Sequence, residues 1–298
     1  MLNYIQHVKS RPDYFKQFSC KELLCLKYDC PSDMPPKLGK YAEHNYLWYI
    51  LTGKKILHAG NRSWLLQGGS AVFVKKGACI YEQIFDEVFC VITFFVPDSY
   101  IRSFVQQNAT LINNNADEGM ANQVMPVRVD PVMEAFYNSV IPYFETGTQP
   151  NEDLLELKFR ELLLNLVSNK SNEELIRYFQ SLGNSSSANL QQIMEDNCLY
   201  NLQLEDFARL CCRSLSSFKR DFQAAYDMTP HRWLMQKRLT HARQLLRNSD
   251  KAVSDIAFEC GFENNSHFSR LFKERYNISP LQYRKQEVSV VEAVLQLG

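Results

Sequence analysis

Short apolar runs, separated by turn-forming or polar residues, fill the chain between residues 47 and 96. Six of them are rich in aromatic and branched side chains: LWYIL (47–51), KKILH (54–58), SWLLQ (63–67), AVFVK (71–75), CIYEQIF (79–85) and FCVITFFV (89–96). Six of the eleven glycines lie in the same part of the chain, between Gly39 and Gly77. Short strands with frequent turns are typical of antiparallel β architecture. This region is therefore predicted to form a barrel or one half of a jelly roll.

Beyond Pro131 the apolar residues recur with a helical period. One stripe, at i, i+4, i+7 and i+11, consists of Leu155, Phe159, Leu162 and Leu166. Further leucines at 154, 157, 163 and 164 widen this apolar surface. Two interpretations stay open: the helix packs within the monomer, or it packs on both the β region and a partner subunit. The small, polar stretch SLGNSSSAN (181–189) then interrupts the helical pattern and has the composition of a flexible linker.

Overall composition indicates a folded, soluble protein. The chain has 298 residues, of which 45% are hydrophobic and 22% charged, which excludes a disordered or fibrous protein. The longest apolar run, residues 89–96, is too short to span a membrane. The N-terminus shows no secretory signal, and nine cysteines cannot all pair. A cytoplasmic location is therefore expected.

Charge is unevenly distributed although the net charge is zero. Residues 209–285 hold fifteen Lys and Arg against seven Asp and Glu, an excess of eight positive charges. Two interpretations of this positive excess remain open. The segment could bind a polyanion, or it could be an ordinary solvated helical surface.

An internal repeat occupies the same basic segment. Thr229-Pro230 and Ser279-Pro280 lie 50 residues apart, and such pairs mark helix starts because the hydroxyl caps the helix and proline suits its first turn. The same offset relates Phe218 to Phe268, Arg220 to Arg270, Phe222 to Phe272 and Tyr226 to Tyr276. An offset of 49 relates Asp206 to Asp255, Ala208 to Ala257 and Cys211 to Cys260. The basic segment therefore contains two copies of the same unit.

Each repeat has the pattern of a helix-turn-helix unit. The predicted short helices are 204–211 and 253–260, and the longer ones are 214–226 and 265–276. Gly261 stands where the turn requires a positive φ, whereas the first unit has Cys212 there. A connecting helix from Pro230 to Arg247 would span about 27 Å. Its basic face is predicted to carry Lys237, Arg238 and His241. It could hold the two DNA-reading helices roughly one DNA turn, about 34 Å, apart.

The second unit and the residues after it contain the short motifs Ile256-Ala257, Gly261-Phe262, Phe268-Ser269-Arg270-Leu271-Phe272-Lys273, Ser279-Pro280 and Tyr283-Arg284. With these motifs, the segment of residues 188–285 is identified as a member of the AraC/XylS family of transcription regulators. Two departures, Tyr226-Asp227 and Tyr276-Asn277, replace pairs that usually end in glycine, but Asp and Asn also tolerate left-handed backbone. The segments ILTGKKIL (50–57) and GGSAVFVKKGACIYEQ (68–83) resemble the N-terminal domain of the type III secretion activators.

The resemblance implies an α+β protein of two domains. Residues 1–180 would form a cupin-like β barrel with helices from about residue 131, and this domain would form a homodimer. Three alternatives stay open for its effector: a small molecule, a protein, or no effector. Residues 181–187 would be the linker, residues 188–285 the all-α domain of two helix-turn-helix units joined by a long helix, and residues 286–298 a tail. The implied partners are double-stranded DNA and RNA polymerase, and the implied function is a transcription regulator, an activator.

By the same resemblance, the residues that read bases lie near the starts of the two longer helices. They are Ser216, Ser217, Lys219 and Arg220, then Asn265, Ser266, His267, Ser269 and Arg270, with Lys273 assigned to phosphate. Arg can bind guanine bidentately and Asn can bind adenine. The alternative for Arg220 and Arg270 is an intrahelical salt bridge, and His267 could contact a base or phosphate, cap its helix or be solvated. The four phenylalanines of the repeat are predicted to be core.

Enzymatic alternatives are a cupin-type metalloenzyme and a methyl-acceptor repair protein that uses the helical domain only to dock on DNA. The first needs a His-x-His pair, but this chain has His44-Asn45-Tyr46 and an isolated His58. The second needs a zinc site of four cysteines, and the spacing of Cys20, Cys25 and Cys30 matches no common zinc pattern. No catalytic residue, metal or cofactor is predicted.

Overall fold

The computed structural model describes residues 1–12, 14–30, 35–112, 121–147, 149–184 and 190–286. The chain divides into two compact units, residues 1–189 (unit 1) and residues 190–298 (unit 2). Unit 1 contains both strands and helices, and the described part of unit 2 is helical. The prediction of an α+β protein is confirmed.

Unit 1 contains two β-sheets. The five-stranded sheet has the order β1 (Leu2–Asn3), β4 (Lys37–Ala42), β9 (Gly77–Gln83), β6 (Lys54–Ala59) and β7 (Arg62–Gln67). The six-stranded sheet has the order β11 (Val124–Val127), β8 (Ala71–Val74), β5 (Asn45–Thr52), β10 (Cys90–Val96), β3 (Leu23–Asp29) and β2 (Lys16–Cys20). All six predicted strands are confirmed to within about two residues at each end. The expected barrel appears as these two sheets, and its likeness to cupins remains a prediction.

The six-stranded sheet is buried on both faces, which explains its nearly unbroken apolar runs. Tyr46 and Trp48 of β5 belong to a core cluster shared with the five-stranded sheet and with α1 (Tyr4–Lys9). Leu47 and Tyr49 of the same strand belong to a second cluster, shared with the helices of unit 1. Because successive side chains of a strand point to opposite faces, a strand covered on both sides needs apolar residues at every position.

Four helices cover the outer face of the six-stranded sheet. They are α2 (Asp98–Gln107), α3 (Pro131–Thr146), α4 (Glu152–Ser168) and α5 (Glu173–Asn184), with a 3₁₀ turn at Lys170–Asn172. The helix predicted to begin near residue 131 is confirmed: Asp130 caps α3 by accepting a hydrogen bond from the Met133 N–H at 2.9 Å. Two further helices, α1 and α2, precede it.

The leucine stripe of α4 is core. Leu155, Leu162 and Leu166 are buried in the cluster beneath the helices, so their predicted contact with a partner subunit is wrong and packing within the monomer is confirmed. Leu157 is 58% exposed and Leu154 is 36% exposed. Any partner that approaches α4 would meet these two leucines.

The predicted linker starts too early. Helix α5 continues through Asn184, so residues 181–184 are helical and do not belong to a linker. The other predicted linker residues, 185–187, lie outside the described residues. Gly183 is a packing position: a Cβ there would lie 2.6 Å from Cγ1 of Val105 in α2. The glycine that suggested a flexible segment in fact lets α5 approach α2 closely.

Unit 2 consists of helices that match the predicted repeat. They are α6 (Leu190–Asn197), α7 (Leu204–Leu210), α8 (Leu215–Tyr226), α9 (Pro230–Asn248), α10 (Val253–Glu259) and α11 (Asn265–Tyr276), and residues 280–286 are also helical. Thr229 caps α9, with its Oγ1 accepting from the Arg232 N–H at 3.4 Å. Across the ranges described above, no helix is long and apolar enough to cross a membrane.

Candidate nucleic-acid interface

The two helix-turn-helix turns have the same backbone. In the first, the Arg213 N–H donates to the Ala208 carbonyl at 2.9 Å, and in the second the Phe262 N–H donates to the Ala257 carbonyl at 3.0 Å. Both turns place one residue in the left-handed region, Cys212 at φ 55° and Gly261 at φ 80°. The two units therefore share the same turn hydrogen bond as well as the same sequence pattern.

Each longer helix begins with a capped N-terminus. The Ser214 Oγ accepts from the Ser217 N–H at 3.2 Å at the start of α8. At the equivalent position, the Asn264 Oδ1 accepts from the N–H groups of Ser266 at 2.8 Å and His267 at 3.2 Å at the start of α11. The positive ends of both helix dipoles therefore lie next to the residues predicted to meet DNA, where an anion such as phosphate is favoured.

The phenylalanines of the repeat fix which face of each helix is buried. Phe218 and Phe222 of α8, and Phe268 and Phe272 of α11, are all completely buried. The prediction that they form core is confirmed. Since residues three and four apart share one face of a helix, the positions between them face outward.

On α8, three of the four predicted contact residues are exposed. Ser216, Lys219 and Arg220 are exposed, and Ser217 is half-buried. The Arg220 Nε lies 3.3 Å from Asp221 Oδ1, and its Nη2 donates to Ser217 Oγ at 3.3 Å, although 77% of the side chain is exposed. Arg220 thus takes part in a local ion pair while it remains accessible.

On α11, all but one of the predicted contact residues are exposed. Ser269 is half-buried, and the exposed group consists of Asn265, Ser266, His267, Arg270 and Lys273. The ion pairs within residues 190–286 include neither Arg270 nor Lys273. The ring of His267 lies 6.3 Å from that of Phe262. The second helix therefore presents its arginine with no such restraint.

Arg238 was predicted to belong to a basic face of α9, and that prediction is wrong. The side chain is buried and donates three hydrogen bonds to backbone carbonyls: Cys198 at 2.8 Å, Tyr200 at 2.6 Å and Gly261 at 3.0 Å. Burial lowers its pKa, but guanidinium stays charged in proteins. Arg238 therefore joins α9 to the loop after α6 and to the second turn, a role that no sequence spacing indicates.

His58, one of the two histidines considered for metal binding, contacts other side chains. His58 Nε2 contacts Glu82 Oε2 at 2.8 Å, and its Nδ1 contacts Ser63 Oγ at 2.7 Å. Burial lowers the pKa of His44. Over the described part of the chain, no group of three His, Cys, Asp or Glu residues is arranged to hold a metal ion.

Comparisons with known proteins assign both units. Residues 45–178 match the family model of the ExsA N-terminal regulatory domain, and residues 207–286 match that of a helix-turn-helix domain. The thermoregulatory protein LcrF of Yersinia pestis is 25% identical over 253 residues, which make up 84% of this chain and 93% of that protein. The HTH-type transcriptional regulator ExsA of Pseudomonas aeruginosa is 24% identical over 258 residues, which make up 86% and 91%.

A third relative matches a smaller share of the chain more closely. The HTH-type transcriptional activator RhaS of Escherichia coli is 35% identical over 136 residues, 46% of this chain and 47% of that protein. ExsA and RhaS are named as regulators of transcription and LcrF as a thermoregulatory protein, so the two enzymatic alternatives find no support. A duplicated helix-turn-helix unit thus follows a regulatory domain of the ExsA type, and the resemblance of residues 188–285 to the AraC/XylS transcription regulators is confirmed.

Proposed function

We propose that the protein binds double-stranded DNA with α8 and α11 in two adjacent major-groove segments and activates transcription from that position. One observation carries the proposal. The starts of both helices expose arginine and small polar side chains at equivalent places, held by identical turns and by buried phenylalanines. A role in activation is supported by relatives named as transcriptional activators, VirF of Yersinia enterocolitica and RhaS.

The exposed side chains have the chemistry for reading bases. Arg220 and Arg270 can each bind the O6 and N7 of a guanine, and Asn265 can bind adenine. The hydroxyls of Ser216 and Ser266 suit phosphate contacts at a helix N-terminus. Lys273, two turns along α11 from its start, is assigned to the backbone. This division predicts different consequences for the arginines and for the lysine.

The electrostatic part of binding should depend on salt. Each phosphate neutralised by Lys or Arg releases counterions, so affinity falls as salt rises. The fragment from Ala188 onward contains both helix-turn-helix units and the basic segment, and we expect it to bind duplex DNA at low salt and lose affinity as salt is added. Absence of binding by this fragment at low salt would contradict the proposal.

Selection of bound sites from a random DNA pool tests which residues read sequence. Arg220→Ala should relax the selected motif at one or two base pairs in one half, and Arg270→Ala at one or two in the other half. Each lost bidentate contact should weaken binding of the best site by about 1 to 3 kcal/mol. Lys273→Ala, the matched control on α11, should weaken all sequences alike.

If both arginine variants select the unchanged motif and only bind more weakly, these arginines contact the DNA backbone. Base readout by them is then wrong.

Unit 1 supplies the remaining part of the proposal, a homodimer. With Leu155, Leu162 and Leu166 buried, the exposed Leu154 and Leu157 are the leucines of α4 that can meet a second copy. Leu157→Lys should give monomers in sedimentation, whereas Val132→Lys, at an equally exposed position on α3, should leave the dimer intact. If both variants sediment like the unmodified chain, α4 is not the interface. The family resemblance adds RNA polymerase as a partner and the cytoplasm as the place of action, without enzymatic chemistry.

A further inference from the structure

A cysteine and a lysine from different sheets meet in the interior of unit 1. Cys30 follows β3 of the six-stranded sheet, and Lys55 lies on β6 of the five-stranded sheet. The Lys55 Nζ donates to the Cys30 Sγ at 3.7 Å, and the thiol donates to Gln83 Oε1 at 3.4 Å. Both side chains are buried, with Lys55 only 2% exposed. A nucleophilic sulfur and an amine are therefore in direct contact.

Lys55 is unusual because it is buried and has no carboxylate partner among the described residues. The Lys55 Nζ lies 4.1 Å from the centre of the Phe89 ring and 5.8 Å from that of Trp48. Burial lowers the pKa of Lys55 to about 8. An uncharged amine is a nucleophile, and a desolvated lysine is the usual form of one in proteins.

A small cavity lies beside Cys30. Cys30 lines a cavity of about 280 Å³ together with residues 83–89. The two acids in that wall have other partners: Asp86 pairs with Lys54 at 2.8 Å, and Glu87 accepts from the Gly53 N–H at 3.2 Å. The cavity is large enough for a small neutral oxidant.

The surroundings of several other buried thiols hinder formation of the thiolate. Burial raises the pKa of Cys79, Cys90 and Cys260 to about 12 each. For Cys20, burial and then the nearby Glu152 raise the pKa of the thiol. Because the thiolate is the reactive form, these cysteines should resist oxidation. Cys212, which is exposed, serves as the ordinary reference thiol.

We propose that Cys30 and Lys55 form a modification site that responds to hydrogen peroxide by forming a sulfur–nitrogen cross-link. In the first step, the thiol attacks peroxide; the O–O bond breaks, one oxygen joins the sulfur as a sulfenic acid, and water leaves. In the second step, the uncharged Lys55 amine attacks the sulfenic sulfur; an S–N bond forms, the S–O bond breaks, and the hydroxyl leaves as water with a proton from the amine. Sulfur is oxidised, peroxide is reduced, and the product is a sulfenamide.

The cross-link would join the two sheets covalently. It would connect β6 to the end of β3, which belong to different sheets. A low-molecular-weight thiol can attack the sulfenamide sulfur, release the lysine amine and leave a mixed disulfide that a second thiol reduces. The site would thus be reversible, with the oxidised form more resistant to unfolding of unit 1.

Peptide mapping of the full chain tests the proposal. The protein is treated with hydrogen peroxide, alkylated without reductant, digested with trypsin and analysed by mass spectrometry. The expected product joins the peptide of residues 28–37 to that of residues 55–62, with the mass of both less two hydrogens and with cleavage after Lys55 blocked. Added thiol should separate the two peptides and restore the cleavage. Treatment should also raise the melting temperature of unit 1.

Lys55→Arg is the matched control, because it keeps a positive charge but offers no amine that condenses readily. In this variant the linked peptide and the shift in melting temperature should be lost, and Cys30 should proceed to sulfinic acid. Cys30→Ser should abolish both signals, and Cys212→Ser should leave both unchanged. The proposal is overturned if Cys30 is oxidised no faster than Cys212, or if Cys30 is oxidised while trypsin still cleaves after Lys55.

Discussion

The two helix-turn-helix units have the same backbone but reach it with different residues at two places. At the turn, the first unit has Cys212 at φ 55° and the second has Gly261 at φ 80°. The left-handed conformation costs a residue with a Cβ about 1 to 2 kcal/mol, and glycine avoids this cost. The first unit tolerates the cost because Cys212 is exposed and its side chain has room.

The second turn has no such room. A Cβ at Gly261 would lie 2.6 Å from the Leu199 carbonyl oxygen and 3.1 Å from Cζ of Arg238. Glycine is therefore required there by close packing as well as by φ. In the first unit only the left-handed φ restricts the turn residue. In the second unit close contacts with Leu199 and Arg238 restrict it as well.

The second difference lies between the turn and the longer helix. In the first unit Arg213 Nε lies 3.4 Å from Asp221 Oδ2, whereas the equivalent residues of the second unit, Phe262 and Leu271, belong to its apolar cluster. A polar pair and an apolar pair thus occupy one structural position. Such replacements are often neutral in stability when both partners change together.

Arg238→Met should have the largest effect, because it removes the buried cation that holds the second turn. Two buried carbonyls and one partly buried carbonyl lose their donor. We expect the free energy of unfolding of unit 2 to fall by roughly 3 to 5 kcal/mol. Hydrogen exchange of α9 to α11 in the full chain measures it. Arg232→Met, at an exposed position of the same helix, is the control and should change little. Equal effects of the two variants would mean that the three hydrogen bonds do not stabilise the unit.

Gly261→Ala should come next. The added methyl group meets both the left-handed φ and the close contacts, so we expect a loss of roughly 2 to 3 kcal/mol in the stability of unit 2. Cys212→Ala keeps the strained φ but adds no atoms, and should change stability by less than about 0.5 kcal/mol. Denaturant unfolding of both variants, followed by Trp233 fluorescence in a chain whose other tryptophans are replaced by Phe, compares the two turns. If the two substitutions cost the same, the difference drawn between the turns is wrong.

Replacing the polar pair with its apolar equivalent tests the second difference. Asp221→Leu alone leaves Arg213 without its carboxylate and should cost about 1 kcal/mol, less at high salt. Adding Arg213→Phe should restore stability to that of the unmodified chain, as in the second unit. A double variant less stable than the single one would show that the first unit depends on its ion pair.

Cys212→Gly should have the smallest effect, and it should be stabilising. Relief of the left-handed conformation gains about 1 to 2 kcal/mol, while the greater freedom of glycine in the unfolded chain removes about 0.4 to 1. We expect a net gain of roughly 0.5 kcal/mol, measured by the same fluorescence-detected unfolding. A loss of stability would show that the Cys212 side chain makes a favourable contact that outweighs its backbone strain.

Local features of the sequence determined most of unit 2. Pro230 and Pro280 behind hydroxyl residues, together with the 50-residue spacing of the phenylalanines, predicted helix bounds to within about one residue. Caps, prolines and a helical period act on neighbours within one or two turns, so their consequences can be read along the chain. The strand positions between residues 45 and 96 followed from turn residues and β-branched runs for the same reason.

Only the tertiary structure decided the features that depend on distant neighbours. The burial of Arg238, the packing of Gly183 against Val105 and the meeting of Cys30 with Lys55 each join residues far apart in sequence. The leucines of α4 form a similar case, because a helical stripe shows that a face is apolar but not which surface covers it. Burial and pairing depend on what the fold brings opposite a side chain, and the sequence around that side chain carries no record of it.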